Sequence, residues 1–262
     1  MNIPFTQVDA FTVDDRPLTG NPAAVMLLDD WLEDEVLQAI AVENNLSETA
    51  FLRPSDGPSD YDLRWFTPGC EVDLCGHATI ASGHVVIGDS ERVTFATRSG
   101  QLSVERRGDR LLLDLPAARA TNPHRMPDIV TALGVEPAET LLATSAEDAL
   151  LIVLDDEAQV RACRPDFGRL REVPQLIIVT APGTGCDVAS RVFAPGFGID
   201  EDPVTGAAHA AMAPYWAKRL GSDRFSAFQA SARGGQLDCQ LSGDRLALSG
   251  RCRTVIEGRF LL

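Results

Sequence analysis

The chain repeats part of itself, and this repetition constrains the fold more than any other feature of the sequence. Residues 64–75 read RWFTPGCEVDLC and residues 191–202 read RVFAPGFGIDED, so the two segments share the frame R-x-F-x-P-G. A second match pairs residues 98–111 with residues 233–246, and a weaker one pairs VMLLDD with LIVLDD, in the same order along the chain. Three collinear matches predict two similar halves, each a structural unit of its own.

The boundary between the halves is predicted near residue 118. We place the N-terminal half at residues 1–118 and the C-terminal half at residues 119–262. The segment PAARATNPHRMP at this boundary is rich in proline and alanine, which is typical of a linker. A chain of 262 residues is long enough for each half to build its own core.

Each half has more predicted strands than helices. In the first half, residues 31–45 carry an apolar stripe typical of an amphipathic helix, and residues 78–88 are predicted as a second helix. Short apolar strands joined by tight turns surround them, and the second half repeats the pattern. Short turns favour antiparallel pairing. We therefore predict an α+β fold of mostly antiparallel sheet, with each half wrapped around one prominent helix.

Composition narrows the possible partners. The formal net charge of -15 argues against nucleic acid or an anionic membrane, because both call for a basic face. No apolar run approaches the ~20 residues that a membrane span needs. The N-terminal residues lack the features of a secretory signal, and the six cysteines lack disulfide-scaffold spacing, so reduced thiols in the cytoplasm are predicted. No metal-ligand spacing, phosphate-binding loop or dinucleotide fingerprint is present, and we predict neither metal nor cofactor.

The repeated motif ends at Cys75 in the first half and at Asp202 in the second, and a small-residue helix is predicted after each. Equivalent loops of two similar halves are expected to face each other across a cleft, where ligand sites are common. Helix N-termini offer free N–H groups and a positive dipole end, which bind carboxylates. Gly76, Gly206 and Ala207 stand at these starts, and their small side chains let a ligand approach the main chain.

Glu48, in NLSETAFL, is the candidate proton-transferring group. It lies where a helix is predicted to end and an apolar strand to begin. Burial disfavours the charged form of a carboxylate, which suits a general base or acid. Taken singly, His77 also fits a packed histidine, Cys75 a small buried hydrophobe and Asp202 a helix cap. Their combination with Glu48 favours a site.

Four segments in order resemble the phenazine biosynthesis PhzF-like family: GNPAAV, NLSETAFL, RWFTPGCEVDLCGHAT and DPVTGAAH, which begin at residues 20, 45, 64 and 202. The resemblance runs from about residue 3 to the C-terminus. It implies the diaminopimelate epimerase fold, which proline racemase shares, with two similar halves that each form a barrel-like antiparallel sheet around a central helix. It also implies a homodimer.

The resemblance further implies roles for individual residues. Glu48 matches the proton-transferring glutamate, His77 the assisting histidine and Asp202 an aspartate of the site. Amide donors for a substrate carboxylate, with one side chain close by, are implied at Gly76, His77, Gly206, Ala207 and Asn21. The family usually has serine where this chain has Ala207, so a hydroxyl contact is lost, which counts against the phenazine precursor as the substrate.

Three functions stay open from the sequence. The favoured one is a cofactor-independent isomerase that moves a proton on a small carboxylate-bearing substrate, with Glu48 as base. The second is an amino-acid racemase or epimerase, because Cys75 matches the first cysteine of the epimerase branch and Asp202 falls at the second. The third is a non-catalytic small-molecule binding homologue. A cysteine–histidine hydrolase is disfavoured, since Cys75 and His77 are two residues apart and such positions do not face each other on a helix.

Overall fold

The structure, a computed structural model, describes residues 1–14, 16–144 and 148–262. Contacts divide the chain into two compact units. Unit 1 comprises Met1–Asp114 with Ser249–Leu262, and unit 2 comprises Leu115–Leu248. The boundary drawn from the sequence, after residue 118, stays a prediction. The largest difference between the predicted halves and the observed units concerns the residues after 248. They belong to unit 1 because they pair with the N-terminal strand.

The described residues form eighteen strands and six α-helices. The strands, in chain order, are β1 Asn2–Ala10, β2 Asn21–Leu27, β3 Glu48–Pro54, β4 Tyr61–Phe66, β5 Glu71–Val72, β6 Arg92–Thr97, β7 Gly100–Arg107, β8 Arg110–Pro116, β9 Ala120–Pro123, β10 Glu139–Thr144, β11 Ala149–Val153, β12 Leu176–Pro182, β13 Val188–Ala194, β14 Ile199–Asp202, β15 Arg224–Gln229, β16 Gly235–Ser242, β17 Arg245–Gly250 and β18 Cys252–Leu261. The helices are α1 Asp34–Asn44, α2 Gly76–Val86, α3 Pro127–Leu133, α4 Glu157–Ala162, α5 Phe167–Leu170 and α6 Gly206–Leu220.

The two units repeat one order of strand pairing, as the sequence repeat predicts. In unit 1, β1–β2 is antiparallel, β2–β3 parallel, β3–β4 antiparallel, β4–β6 parallel and β6–β7 antiparallel. In unit 2, β10–β11, β11–β12, β12–β13, β13–β15 and β15–β16 follow the same alternation. The α+β fold of two similar, mostly antiparallel halves is therefore confirmed. The additional strand β18 pairs with β1 along its whole length.

One helix lies at the centre of each unit. In unit 1, α2 packs against β1, β2, β3, β7 and β18, and its first eight residues, Gly76 to Gly83, are all buried. In unit 2, α6 packs against β9, β10, β11 and β16. A helix surrounded by sheet must be apolar and slender on every side. Alanine and glycine supply that slenderness in both helices, and α2 adds serine and threonine.

Helix α2 begins at Gly76, directly after Cys75 as predicted, so Gly76 and His77 belong to its first turn. One detail differs from the sequence-based prediction. The proline- and alanine-rich segment predicted as a linker contains strand β9, which pairs with β10. Pro123 falls at the end of this strand, where a missing N–H donor is tolerated. Among the residues that the structure describes, no helix is both long and apolar enough to cross a membrane.

Gly83 in α2 is required by close packing, and its replacement provides a test of the helix position. An alanine Cβ at this place would lie 2.5 Å from Cγ1 of Val104 in β7, well inside contact distance. Alanine is favoured over glycine in a helix by about 1 kcal/mol, but overpacking costs about 1–3 kcal/mol. We expect Gly83→Ala to lower the free energy of unfolding, measured by urea denaturation. The control is Gly258→Ala in β18, where a Cβ meets open space; equal stability of the two variants would contradict the packing.

Candidate active site

Glu48 and His77 form a buried acid–base pair in unit 1. Glu48 is the first residue of β3 and pairs in parallel register with Ala23 of β2. His77 is the second residue of α2. Its Nε2 atom lies 2.9 Å from Oε2 of Glu48, and both side chains are almost fully shielded from solvent. The two atoms are close, but within the described residues neither of them has a hydrogen bond of good geometry.

Two further predicted residues contact the other nitrogen of the His77 ring. Nδ1 lies 3.2 Å from Nδ2 of Asn21, the first residue of β2, and 3.5 Å from Sγ of Cys75. A neutral imidazole accepts at Nδ1, from the amide or the thiol. An imidazolium donates from Nδ1, either to the Cys75 sulfur or, when the Asn21 side-chain amide is flipped, to its oxygen. The surroundings of Nδ1 therefore suit both charge states of the ring.

The contact between Cys75 and His77 corrects the reason given for dismissing such a pair. Two positions on one helix turn would diverge, but Cys75 is not helical. It is the N-cap of α2, with an extended backbone of φ −142° and ψ 109°, and this directs its sulfur toward the ring. The contact does not create a reactive thiolate, because burial and the Glu48 carboxylate both disfavour the charged form of the Cys75 thiol.

Burial and neighbouring charge shift the pKa values of Cys75 and His77. Burial raises the pKa of the Cys75 thiol to about 11, and the Glu48 carboxylate adds to the effect. Burial lowers the pKa of His77, but negative charge on Cys75 and Glu48 and the close contacts with both raise it well above its ordinary value. Because burial keeps the Cys75 thiol neutral, Glu48 is the neighbour whose negative charge raises the pKa of His77.

The start of α2 has no side-chain cap. The Cys75 side chain makes no capping hydrogen bond, and the first turn carries no acidic residue. The first N–H groups of an α-helix have no intrahelical acceptor and carry the positive end of the dipole. Gly76 and His77, the predicted amide donors of unit 1, occupy this turn.

Asp202, Gly206 and Ala207 lie together at the start of α6 in unit 2. Asp202 ends β14, and Gly206 and Ala207 are the first two residues of the helix. The N-cap is Thr205, whose side chain also makes no capping hydrogen bond. Its hydroxyl donates to Oδ2 of Asp202 instead. The start of α6 thus resembles that of α2, with a protic side chain at the cap and an ionisable partner beside it.

The structural counterpart of Cys75 is Thr205, which corrects the pairing of Cys75 with Asp202 drawn from the repeated motif. Both residues are extended N-caps of the central helices. Strand register agrees. Trp65 and Val192 occupy the same position of the repeated motif, and Trp65 pairs with Val72 whereas Val192 pairs with Asp202. Val72 is therefore the counterpart of Asp202. Three more residues separate Val192 from Asp202 than separate Trp65 from Val72, and a 3₁₀ turn absorbs them.

Sequence reasoning missed two residues that shape this helix start. Gln229, at the end of β15, accepts from the Thr205 N–H at 2.9 Å and donates to the Asp202 carbonyl at 2.7 Å. His209 donates from Nδ1 to the Thr205 carbonyl, at 2.8 Å. Gln229 lies more than twenty residues from the motif and carries no local signal. The helical spacing from Thr205 to His209 could have indicated the second contact.

The described residues contain one group with the composition of a metal site: Glu48, Cys75 and His77, whose ligand atoms lie within 4.8 Å of one another. Carboxylate, thiolate and imidazole are all ligands of zinc. The cysteine would have to lose its proton to bind, and the high pKa of that thiol opposes this. The prediction that the protein uses no metal stays a prediction.

Comparison with known proteins identifies the family. The model of the phenazine biosynthesis-like protein family matches residues 8–258. An uncharacterized isomerase of Pseudomonas aeruginosa is 51% identical over 264 residues, which cover 98% of each chain. The human phenazine biosynthesis-like domain-containing protein is 38% identical over 286 residues, covering 98% of this chain and 99% of the human one.

Solved structures extend the comparison to the fold. A phenazine biosynthesis protein of the PhzF family from Enterococcus faecalis matches with a TM-score of 0.91 and 40% identity, covering 100% of both chains. A hydroxyproline epimerase from Agrobacterium vitis matches with a TM-score of 0.62 over 98% of this chain and 92% of the other. The epimerase is only 12% identical, so this likeness shows the fold alone.

The fold is thus the one shared by epimerases and racemases, and the protein is an enzyme of the isomerase class. More specifically, the chain belongs to the phenazine biosynthesis-like family, as its motifs predict.

His209 makes stability depend on pH in a defined window. Burial lowers its pKa from 6.5 to about 4, although its hydrogen bond to the Thr205 carbonyl opposes the change. Between these values the unfolded chain binds a proton that the folded chain does not, so stability falls as pH drops from about 6.5 to about 4. The contribution is at most about 3 kcal/mol. We expect His209→Gln to flatten this part of the curve of unfolding free energy against pH. The matched variant His124→Gln removes an exposed imidazole and should leave the curve unchanged; flattening by both would contradict the assignment.

Proposed function

We propose that this protein is a cofactor-independent isomerase that moves a proton on a small carboxylate-bearing substrate by general acid–base catalysis. The observation that carries the proposal is the buried Glu48–His77 pair, 2.9 Å apart, beside the uncapped start of α2. A paired carboxylate and imidazole can accept and return a proton without a cofactor.

A substrate carboxylate would dock on amide groups at a helix start. The donors proposed are the backbone N–H groups of Gly76, His77, Gly206 and Ala207. Support comes from the caps, since neither Cys75 nor Thr205 uses its side chain to occupy these amides. Helix dipoles would also stabilise the negative charge that develops on the substrate.

Glu48 would take a proton from a carbon next to a carbonyl or an unsaturated system. The electron pair of the broken C–H bond passes into that conjugated system, and the proton goes to a Glu48 carboxylate oxygen. The proton then returns to another carbon of the same system, which restores the enzyme. His77 would hold the carboxylate in place and Asn21 would hold the ring of His77, while Asp202 would bind a polar group or steer a proton.

Two observations disfavour the racemase alternative. A thiol with a pKa of about 11 is a poor base at neutral pH, since little thiolate is present. The residue placed like Cys75 in unit 2 is Thr205, so Asp202 does not take the place of a second thiol. We therefore assign Cys75 to the lining of the site. Ala207 supplies an amide but no hydroxyl, which favours a substrate other than the phenazine precursor.

We propose a cytoplasmic homodimer as the working form. All six cysteines are free thiols, which is compatible with a reducing compartment. The net charge of -15 argues against nucleic acid as a partner.

Exchange of substrate protons with deuterated water tests the role of Glu48. A panel of amino, hydroxy and unsaturated carboxylic acids is incubated with the protein in deuterated water and followed by NMR. For an acid that exchanges, we expect Glu48→Gln to lower the rate by about 10²–10⁴-fold, because the proton acceptor is lost. We expect Cys75→Ser to keep most of the rate.

Glu157→Gln is the matched control for Glu48→Gln. Glu157 is equally buried, each residue being 9% exposed, but it pairs with Arg161 in α4, outside the proposed site. This control should lose stability and keep activity. Loss of exchange in Cys75→Ser with retention in Glu48→Gln would support the racemase instead. Binding of an acid without any exchange would support the non-catalytic homologue.

A further inference from the structure

The side chain of Thr205 is used in an unusual way for an N-cap. A threonine at this position commonly accepts a hydrogen bond from an amide of the first turn. Here the hydroxyl makes no capping bond and donates to Oδ2 of Asp202. The helix amides stay available to a ligand, and one carboxylate oxygen is fixed in direction.

Gln229 fixes the direction of that hydroxyl. Its Nε2 atom donates to Thr205 Oγ1 at 3.2 Å and to the Asp202 carbonyl at 2.7 Å, while its Oε1 atom accepts from the Thr205 N–H at 2.9 Å. Because an N–H group already points at Oγ1, the hydroxyl proton is directed away from Gln229 and toward Asp202. All three side chains are buried, so water competes little for these bonds.

Unit 1 contains a similar arrangement built from different residues. Cys75 is the counterpart of Thr205, it too leaves its helix uncapped, and its sulfur contacts His77. At each helix start, therefore, the cap side chain is bonded to the ionisable residue and not to the helix. The repetition of this arrangement in two units with different residues points to a common role.

We propose that Thr205 is a positioning residue that orients the Asp202 carboxylate for the substrate, with Gln229 holding Thr205 in turn. This inference rests on the proposed function. It assigns Thr205 no proton transfer of its own. It predicts that the effect of Thr205 on turnover depends on the presence of the Asp202 carboxylate.

A double-mutant cycle tests the inference, with the rate of solvent-proton exchange as the readout. Thr205→Val keeps the branched shape and removes the hydroxyl, and we expect it to lower kcat by about 10- to 100-fold, the effect of losing a hydrogen bond to a charged group. Thr205→Ser restores the hydroxyl and should restore the rate. In an Asp202→Asn background, Thr205→Val should cause little further loss, because the carboxylate that it orients is gone.

Thr180→Val is the matched control. The Thr180 hydroxyl is also buried in unit 2, accepts from Trp216 Nε1 at 3.1 Å and donates to the Ala189 carbonyl at 2.9 Å. Its loss should lower the melting temperature without lowering kcat, which separates a structural cost from a positioning one.

The outcomes separate this inference from the function on which it rests. Wild-type exchange that Thr205→Val leaves unchanged would overturn the inference alone. Equal losses from Thr205→Val in the wild-type and Asp202→Asn backgrounds would also overturn it, since Thr205 would then act independently of the carboxylate. A wild-type protein that exchanges no proton with any acid of the panel would overturn the proposed function, and the inference with it.

Discussion

The burial of α2 on all sides is the constraint on which the rest of unit 1 depends. Its first eight residues are shielded, and strands from both ends of the pairing order contact it. A helix placed this way has its N-terminus inside the protein, so the polar groups of the first turn must find partners there. Glu48, Asn21 and Cys75 supply neighbours for the ring of His77. The acid–base pair is thus a consequence of where the helix begins as well as of which residues are present.

The same constraint explains why the electrostatics of the pair are unusual. A buried imidazole alone would be neutral, and a buried thiol stays protonated. The Glu48 carboxylate changes this balance, since it raises the pKa of His77 and adds to the effect of burial on the pKa of Cys75. One carboxylate therefore acts on the pKa values of both neighbours.

Much of the fold followed from the sequence, because the repeat and the periodicity of apolar residues are local signals. The two similar, mostly antiparallel halves and their central helices agree with the prediction, and the structure brings the predicted residues Glu48 and His77 together. The pairing of Cys75 with Asp202 was wrong, because the motif R-x-F-x-P-G aligns only the residues before the insertion in unit 2, and strand register shows where the three extra residues lie. Gln229 was not predictable, since its bonds to the turn Asp202–Thr205 depend on a contact between β15 and a distant part of the chain.

Strand β18 follows unit 2 in the chain but pairs with β1, and this order has a consequence for synthesis. Domains generally fold as units while the chain leaves the ribosome. Residues 115–248 are complete and can fold while the first sheet still lacks β18. That strand also bears on α2, where Thr254 bonds to His84 at 3.1 Å. Unit 1, which holds the acid–base pair, is the first unit to be synthesised in part and the last to be completed. Its edge along β1 therefore stays unpaired while unit 2 is translated.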